Sequence, residues 1–355
     1  MIPSRSESSQ VTLPCGELGL FIERTEWPLA DLCGFASRRN RKRGFLFVSK
    51  VLGKHYPVRP ARMRAIQRYL AEQLGDIPDP VLVIAMAETA VALGQGVFEC
   101  LTARGKHDGL FLPTTRYRSA RPLALSFQES HSHATDHFLY LPEGAAAQAI
   151  FAQARSLVVV DDEFSSGNTL ANLMAAYGAV NPTVQELRAV SITDWLGPPR
   201  RLALAERFAP KNLQYINVLQ GEFSFRPNPT FDCGEPVNVH GNDERKDHAL
   251  AQNFGRWGLN RPVALDYADL LQKIALQPHE RILMLGTGEF MYPPFLLAEW
   301  LEAQGYDVHF QSTTRSPILL GNDIATVVET QDNYGDGIPN YVYNVSPEQY
   351  DRIVI

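Results

Sequence analysis

Residues 157–169 read Leu157-Val158-Val159-Val160-Asp161-Asp162-Glu163-Phe164-Ser165-Ser166-Gly167-Asn168-Thr169. An apolar, β-branched run ends in two acids, passes through a small polar turn with one glycine, and enters a helical pattern. The run 157–160 reads as a strand buried on both faces, as in a parallel sheet. Ser165, Ser166, Gly167, Asn168 and Thr169 offer backbone N–H groups and hydroxyls at a helix N-terminus, where a phosphate is favoured. Asp161 and Asp162 stand just before that cradle, placed to accept hydrogen bonds from the vicinal hydroxyls of a sugar. Phosphate at one end and a diol at the other describe a ribose 5-phosphate. The stretch is not a Walker loop, because no Gly-Lys-Ser/Thr follows, and its single glycine does not make a dinucleotide fingerprint.

Outward from this motif the chain alternates strands and helices. Helices are expected over about 62–74, 88–104 and 168–179, and strands over 81–86, 123–127 and 187–193. That alternation predicts an α/β fold with a doubly wound parallel sheet. Pro227, Pro229, Gly234, Pro236 and Gly241 punctuate the chain between 225 and 242 and mark a domain boundary. Beyond it, strands at 281–285 and 307–311 flank a helix at 293–304, predicting a second, smaller α/β unit. The expected organisation is a weakly ordered segment over 1–25, a larger domain over 26–235 and a smaller one over 236–355.

The 355 residues suffice for two such units, with 45% hydrophobic and 20% charged residues. A formal net charge of −6 gives no support for a general nucleic-acid binder. Cys15, Cys33, Cys100 and Cys233 lack CxxC spacing, which argues against a disulfide framework or a zinc site and fits a reducing cytoplasm. The opening residues lack a signal-type apolar core, and no later segment has the length of a membrane span.

The order strand, acid pair, spacer and small-residue loop ending in Thr169 resembles the 5-phosphoribosyl-1-pyrophosphate (PRPP) loop of the type I phosphoribosyltransferases. The resemblance implies a second loop for the pyrophosphate end of PRPP. Ala87, Glu88 and Thr89, at the carboxyl end of the strand 81–86, are its candidates. In that family one peptide of this loop is often cis. It also implies Mg2+, held mostly by substrate oxygens and water with help from Asp161 and Asp162, and a lid that closes over the site. Here the lid is expected in 114–137, with Arg116, Arg118 and Arg121 for the leaving group and His131 and His133 as proton-transfer or anion contacts. Arg116 and His133 are the catalytic candidates beside the two acids. The same segment, His131-Ser132-His133-Ala134-Thr135-Asp136-His137, nearly matches an HxHxDH metal signature but has one residue too many.

Phe45 to His55 looks like the start of the phosphoribosyltransferase branch found beside tellurium-resistance gene clusters. Lys50, Lys54 and His55 are candidates there for a hood over the acceptor. The preceding basic knot, Arg38 to Arg43, suits a phosphate or acidic substrate as well as a solvated turn. Thr313-Thr314-Arg315-Ser316-Pro317 matches the motif that names the TRSP domain of that branch. Arg315 and Ser316, with the loop Gly286, Thr287 and Gly288, are candidates for an acceptor or second anion site. The resemblance implies transfer of ribose 5-phosphate from PRPP to an unidentified nitrogen acceptor, with release of pyrophosphate. It further implies nucleotide metabolism, a nucleoside-like metabolite linked to tellurite or stress resistance, and possible homodimers. The alternative from another class is a non-catalytic PRPP-sensing regulator. No helix-turn-helix pattern accompanies it, so no nucleic-acid partner is expected.

Overall fold

The computed structural model describes residues 7–40, 43–128, 136–235, 237, 244–250, 252–277 and 279–355. In chain order the first unit contains β1 (Glu7–Leu13), β2 (Gly16–Thr25), α1 (Leu29–Leu32), β3 (Cys33–Ser37), β4 (Phe45–Ser49), α2 (Pro60–Gln73) and β5 (Val81–Ala85). It continues through α3 (Val91–Thr102), β6 (Gly109–Pro113), β7 (Leu123–Gln128), β8 (Asp136–Tyr140) and α4 (Ala145–Gln153). β9 (Ser156–Phe164), α5 (Asn168–Val180), β10 (Glu186–Asp194), α6 (Gly197–Phe208) and β11 (Asn212–Pro227) complete it.

The seven-stranded sheet has the order β1-β2-β11-β10-β9-β5-β6. β11, β10, β9, β5 and β6 pair in parallel, and β2 and β1 extend the β11 edge in antiparallel fashion. Alternation decides which side chain goes where. Val158 and Val160 pack with Val81 and Val83 on one face. Leu157 and Val159 pack with Leu82 and Ile84 on the other. All eight side chains are sealed from solvent, as a sheet covered on both faces requires. Counted along the chain, the parallel strands lie in the order 2-1-3-4-5, with a topological switch between β5 and β9, where ligands of such sheets bind.

The second unit consists of α7 (Tyr267–Ile274), β12 (Arg281–Gly286), α8 (Tyr292–Ala303), β13 (Asp307–Ser312), β14 (Val327–Gln331), β15 (Pro339–Tyr343) and β16 (Arg352–Val354). β13, β12 and β16 form a parallel three-stranded sheet, and β14 and β15 form a hairpin. Its core is not separate. Val58, Met63 and Ala92 of the first unit share a cluster with Ile282, Met284, Phe295 and Phe310 of the second. Val58 and Phe310 also exchange both backbone hydrogen bonds, at 2.9 and 2.8 Å.

Two sequence expectations are corrected. The segment expected to be weakly ordered holds β1 and β2 from residue 7 onward. Leu18, Leu20 and Ile22 alternate inward there, so the segment has its own apolar stripe to bury. β7 does not join the parallel sheet but pairs with β8 in an antiparallel hairpin. Beyond the punctuated stretch the chain runs back along the first unit. Lys246 donates to the Arg118 carbonyl, and Leu259 pairs with Phe111 along the outer edge of β6.

Candidate functional site

A cleft of about 240 Å3 opens at the switch point, between the loops that follow β5 and β9. The β9 loop begins with the acids. The Asp162 N–H donates to Asp161 Oδ1 at 2.9 Å. Burial, reinforced by the neighbouring Glu163 charge, pushes the Asp162 carboxyl up to about 6. Glu163 is itself paired with Arg43 at 2.7 Å, and Arg43 Nη1 also reaches Ser165 Oγ at 3.3 Å. Arg43 thus lines the cleft beside the Ser165–Gly167 turn, and its face lies against Phe45. The basic knot contained this residue without singling it out.

Gly167 turns the chain into α5 with φ of +75°. A Cβ there would stand 2.8 Å from Leu204 Cδ1 and 3.0 Å from Leu196 Cδ2, so both backbone conformation and space demand glycine. The first turn of α5 then meets the cleft at Thr169 and Leu170, with Ser165 and Ser166 beside it. A helix N-terminus with two serine hydroxyls suits a dianionic phosphate. Asn168 lies at the same turn but is exposed and is not among the lining residues.

The β5 loop forms the facing wall through Ala87, Glu88 and Thr89. The Ala87–Glu88 peptide is cis. The Ala87 N–H donates to Thr114 Oγ1 at 2.8 Å, and that hydroxyl lies 3.1 Å from His137 Nδ1. His137 is buried, stacks on Phe127, and lines the cleft with Arg116. His131 and His133 lie outside the described residues. The near-miss metal signature therefore contains the histidine that the structure places at the site, His137, which sequence reasoning did not advance.

Glu88 departs from a simple loop residue. Lys54 Nζ binds its Oε1 at 2.8 Å and Arg315 Nε binds its Oε2 at 2.9 Å. Burial opposes ionisation of Glu88, but the two cations outweigh it and hold the carboxyl at about 2. Burial likewise pushes the Lys54 ammonium down, against the attraction of Glu88. Lys54 is fully buried and also donates to the Gly288 carbonyl at 3.1 Å. It is not among the residues that line the cleft. Lys50 is directed elsewhere, to Asp323 at 2.8 Å.

The turn at Gly286, Thr287 and Gly288 does not line the cleft, and its N–H groups are engaged. Gly288 N–H donates to Thr313 Oγ1 at 2.9 Å, and Thr287 N–H donates to the Phe290 carbonyl at 3.2 Å. Glu289, which follows, is buried and holds the segment that leads into the β7–β8 hairpin. It accepts from Thr115 Oγ1 at 2.7 Å, from the Arg116 N–H at 2.8 Å and from Arg256 at 3.1 Å. Arg315 and Ser316 do reach the cleft, beside Thr314 and Pro317. Arg118 lies over Phe138, and Arg121 lies over Trp257 and pairs with Glu143, so neither is among the lining residues.

The phosphoribosyl transferase family model matches residues 32–222, more than half of the chain. The chain belongs to the phosphoribosyl transferase family. A second match, over residues 253–355, is to the TRSP domain that lies C-terminal to this transferase domain. The acids, the two loops and the β7–β8 hairpin all fall within the transferase match, whereas Arg315 and Ser316 fall within the TRSP match. None of the curated proteins compared matches the chain. Among solved structures, the adenine phosphoribosyl transferase of Trypanosoma brucei, in complex with AMP, pyrophosphate and ribose-5-phosphate, is 11% identical. That similarity covers 67% of this chain and 94% of that one, with a TM-score of 0.38. The adenine phosphoribosyltransferase of Leishmania tarentolae is 16% identical over 54% of this chain and 85% of its own, with a TM-score of 0.39. That of Leishmania donovani is 15% identical over 71% and 91%, with a TM-score of 0.37.

Proposed function

We propose that this phosphoribosyl transferase moves the 5-phosphoribosyl group from PRPP to a nitrogen acceptor and releases pyrophosphate. One observation carries the reading: the Ser165–Gly167 turn with Thr169, the acid pair and the Ala87–Thr89 loop line one cleft at the switch point. In this account Ser165, Ser166, Gly167 and Thr169 hold the 5-phosphate. Asp161 and Asp162 accept hydrogen bonds from the ribose hydroxyls. Ala87 to Thr89, with Arg116 and His137, receive the pyrophosphate. As the C1–O bond breaks, positive charge grows on the ribose ring and negative charge on the leaving oxygen. Carboxylates near the sugar and cations near the pyrophosphate stabilise both.

Among the described residues, no three His, Cys, Asp or Glu side chains are grouped to hold a metal ion alone. Asp161 and Asp162 suit a magnesium ion that takes most of its oxygens from substrate and water. When bound, such an ion would neutralise pyrophosphate charge. The acceptor would enter beside Arg38, Leu46, His55, Ser316 and Pro317, the lining that neither phosphate end uses. Burial and the adjacent Lys54 charge push His55 down to about 3, so this wall presents a neutral imidazole. On the TRSP resemblance, the product is a nucleoside-like metabolite of tellurite or stress resistance.

The test is pyrophosphate release from PRPP, with magnesium and a pool of cell metabolites, followed by fractionation of the pool. Release that depends on one fraction supports the reading and isolates the acceptor. Binding of PRPP without release under any fraction would instead describe a sensor.

A further inference from the structure

We infer that the C-terminal unit tunes the pyrophosphate loop, with Arg315 and Lys54 acting as positioning residues through Glu88. The inference rests on the transferase reading and assigns this unit a part in the same reaction. Glu88 is an acid in a loop meant to receive a polyanion, and alone it would repel the ligand. The structure places one cation on each of its oxygens, from β4's following loop on one side and from the TRSP motif on the other. With a cation on each of its oxygens, the Glu88 charge is offset beside the loop.

The cluster is also a mechanical anchor. Lys54 is fully buried, and the side chains of Glu88 and Arg315 are 9% and 12% exposed, so little water screens the pairs. Lys54 binds the Gly288 carbonyl as well, fixing the turn that carries Glu289. Glu289 holds Thr115 and the Arg116 backbone, next to the Thr114 hydroxyl that accepts from Ala87 N–H. The loop is therefore gripped at Glu88 and at Ala87 by two chains of contacts that both pass through the C-terminal unit. The phosphate loop after β9 makes no direct hydrogen bond to the C-terminal unit among the described residues: Ser165 contacts Arg43 and Arg200, Asn168 N–H contacts Ser166, and only the turn beyond Arg43 reaches that unit, through Arg39 N–H and the Pro317 carbonyl.

This asymmetry gives the test. Binding of magnesium pyrophosphate and of ribose 5-phosphate is measured by calorimetry on full-length wild type, Arg315→Gln, Arg315→Lys and Lys54→Met, with a melting curve for each. Because misplacing a binding loop by an ångström costs on the order of 100-fold in function, Arg315→Gln is expected to weaken pyrophosphate at least about tenfold. Ribose 5-phosphate affinity is expected to stay unchanged, and Arg315→Lys to recover part of the loss. Lys54→Met repeats the comparison from the other oxygen of Glu88, so one poorly folding variant does not end the test. Wild-type pyrophosphate affinity in a folded Arg315→Gln, or equal loss of both ligands, would overturn the inference. Failure of the wild type to bind either ligand would overturn the transferase reading beneath it.

Discussion

Arg315 Nε donates to Glu88 Oε2 at 2.9 Å, joining two residues 227 positions apart in the chain. Arg315 belongs to the TRSP match and Glu88 to the transferase match. The two units also share a hydrophobic cluster. The C-terminal unit is thereby part of the cleft wall.

The Glu88 pairing sets a pH dependence. Its carboxyl is held at about 2 in the folded protein, below the ordinary value of 4.5. An acid depressed on folding stabilises the fold fully above its unfolded value and loses that contribution as pH falls through its folded one. The unfolding free-energy difference between wild type and Glu88→Gln is expected to be constant above about pH 5.5 and to shrink between about 4.5 and 2. Denaturant titrations across that range measure it. A difference that does not change with pH would contradict the ion-pair account.

Asp162 runs in the opposite sense. Its carboxyl is raised to about 6, so it gains a proton as pH falls through that value and loses its capacity as a charged acceptor. PRPP affinity is expected to fall on the acid side of about 6, and Asp162→Asn to remove that inflection. Titration calorimetry between pH 5 and 8, at fixed magnesium and with the ionisation of PRPP subtracted, checks it.

Gly167→Ala tests the phosphate loop by conformation alone. A left-handed backbone costs a non-glycine residue about 1–2 kcal/mol, and the added Cβ would also press on Leu204 and Leu196. Stability is expected to drop by at least that amount, with ribose 5-phosphate affinity falling more than pyrophosphate affinity. Equal losses for both ligands would place the turn outside the phosphate site.

The parallel sheet and the β9 loop are legible because their signals are local. A valine run, two acids and one glycine lie within 13 residues, and each maps to a strand, its end or its turn. The same holds for β5 and the loop after it. What is not legible depends on distant partners. Lys54 reads as a hood lysine until Glu88 and Gly288 are seen around it. The Gly286–Gly288 turn has the composition of an anion loop, but its N–H groups are taken by Thr313 and Phe290. His137 has no sequence signal that sets it apart from His131 and His133; its role comes from β8, where a stacked Phe127 and the Thr114 hydroxyl hold it. A sharper signal was available at the N-terminus, where Leu18, Leu20 and Ile22 alternate at strand spacing.

The most direct test of the central claim is calorimetric titration of PRPP, with and without magnesium, into wild type and Asp161→Asn/Asp162→Asn. The account expects magnesium-dependent binding by the wild type, weakened about 100-fold or more in the double variant through loss of ribose positioning. Both proteins are expected to melt cooperatively, the double variant no lower than the wild type at neutral pH, because it loses a buried charge. Equal PRPP affinity in the two proteins, or no PRPP binding by a folded wild type, would contradict it.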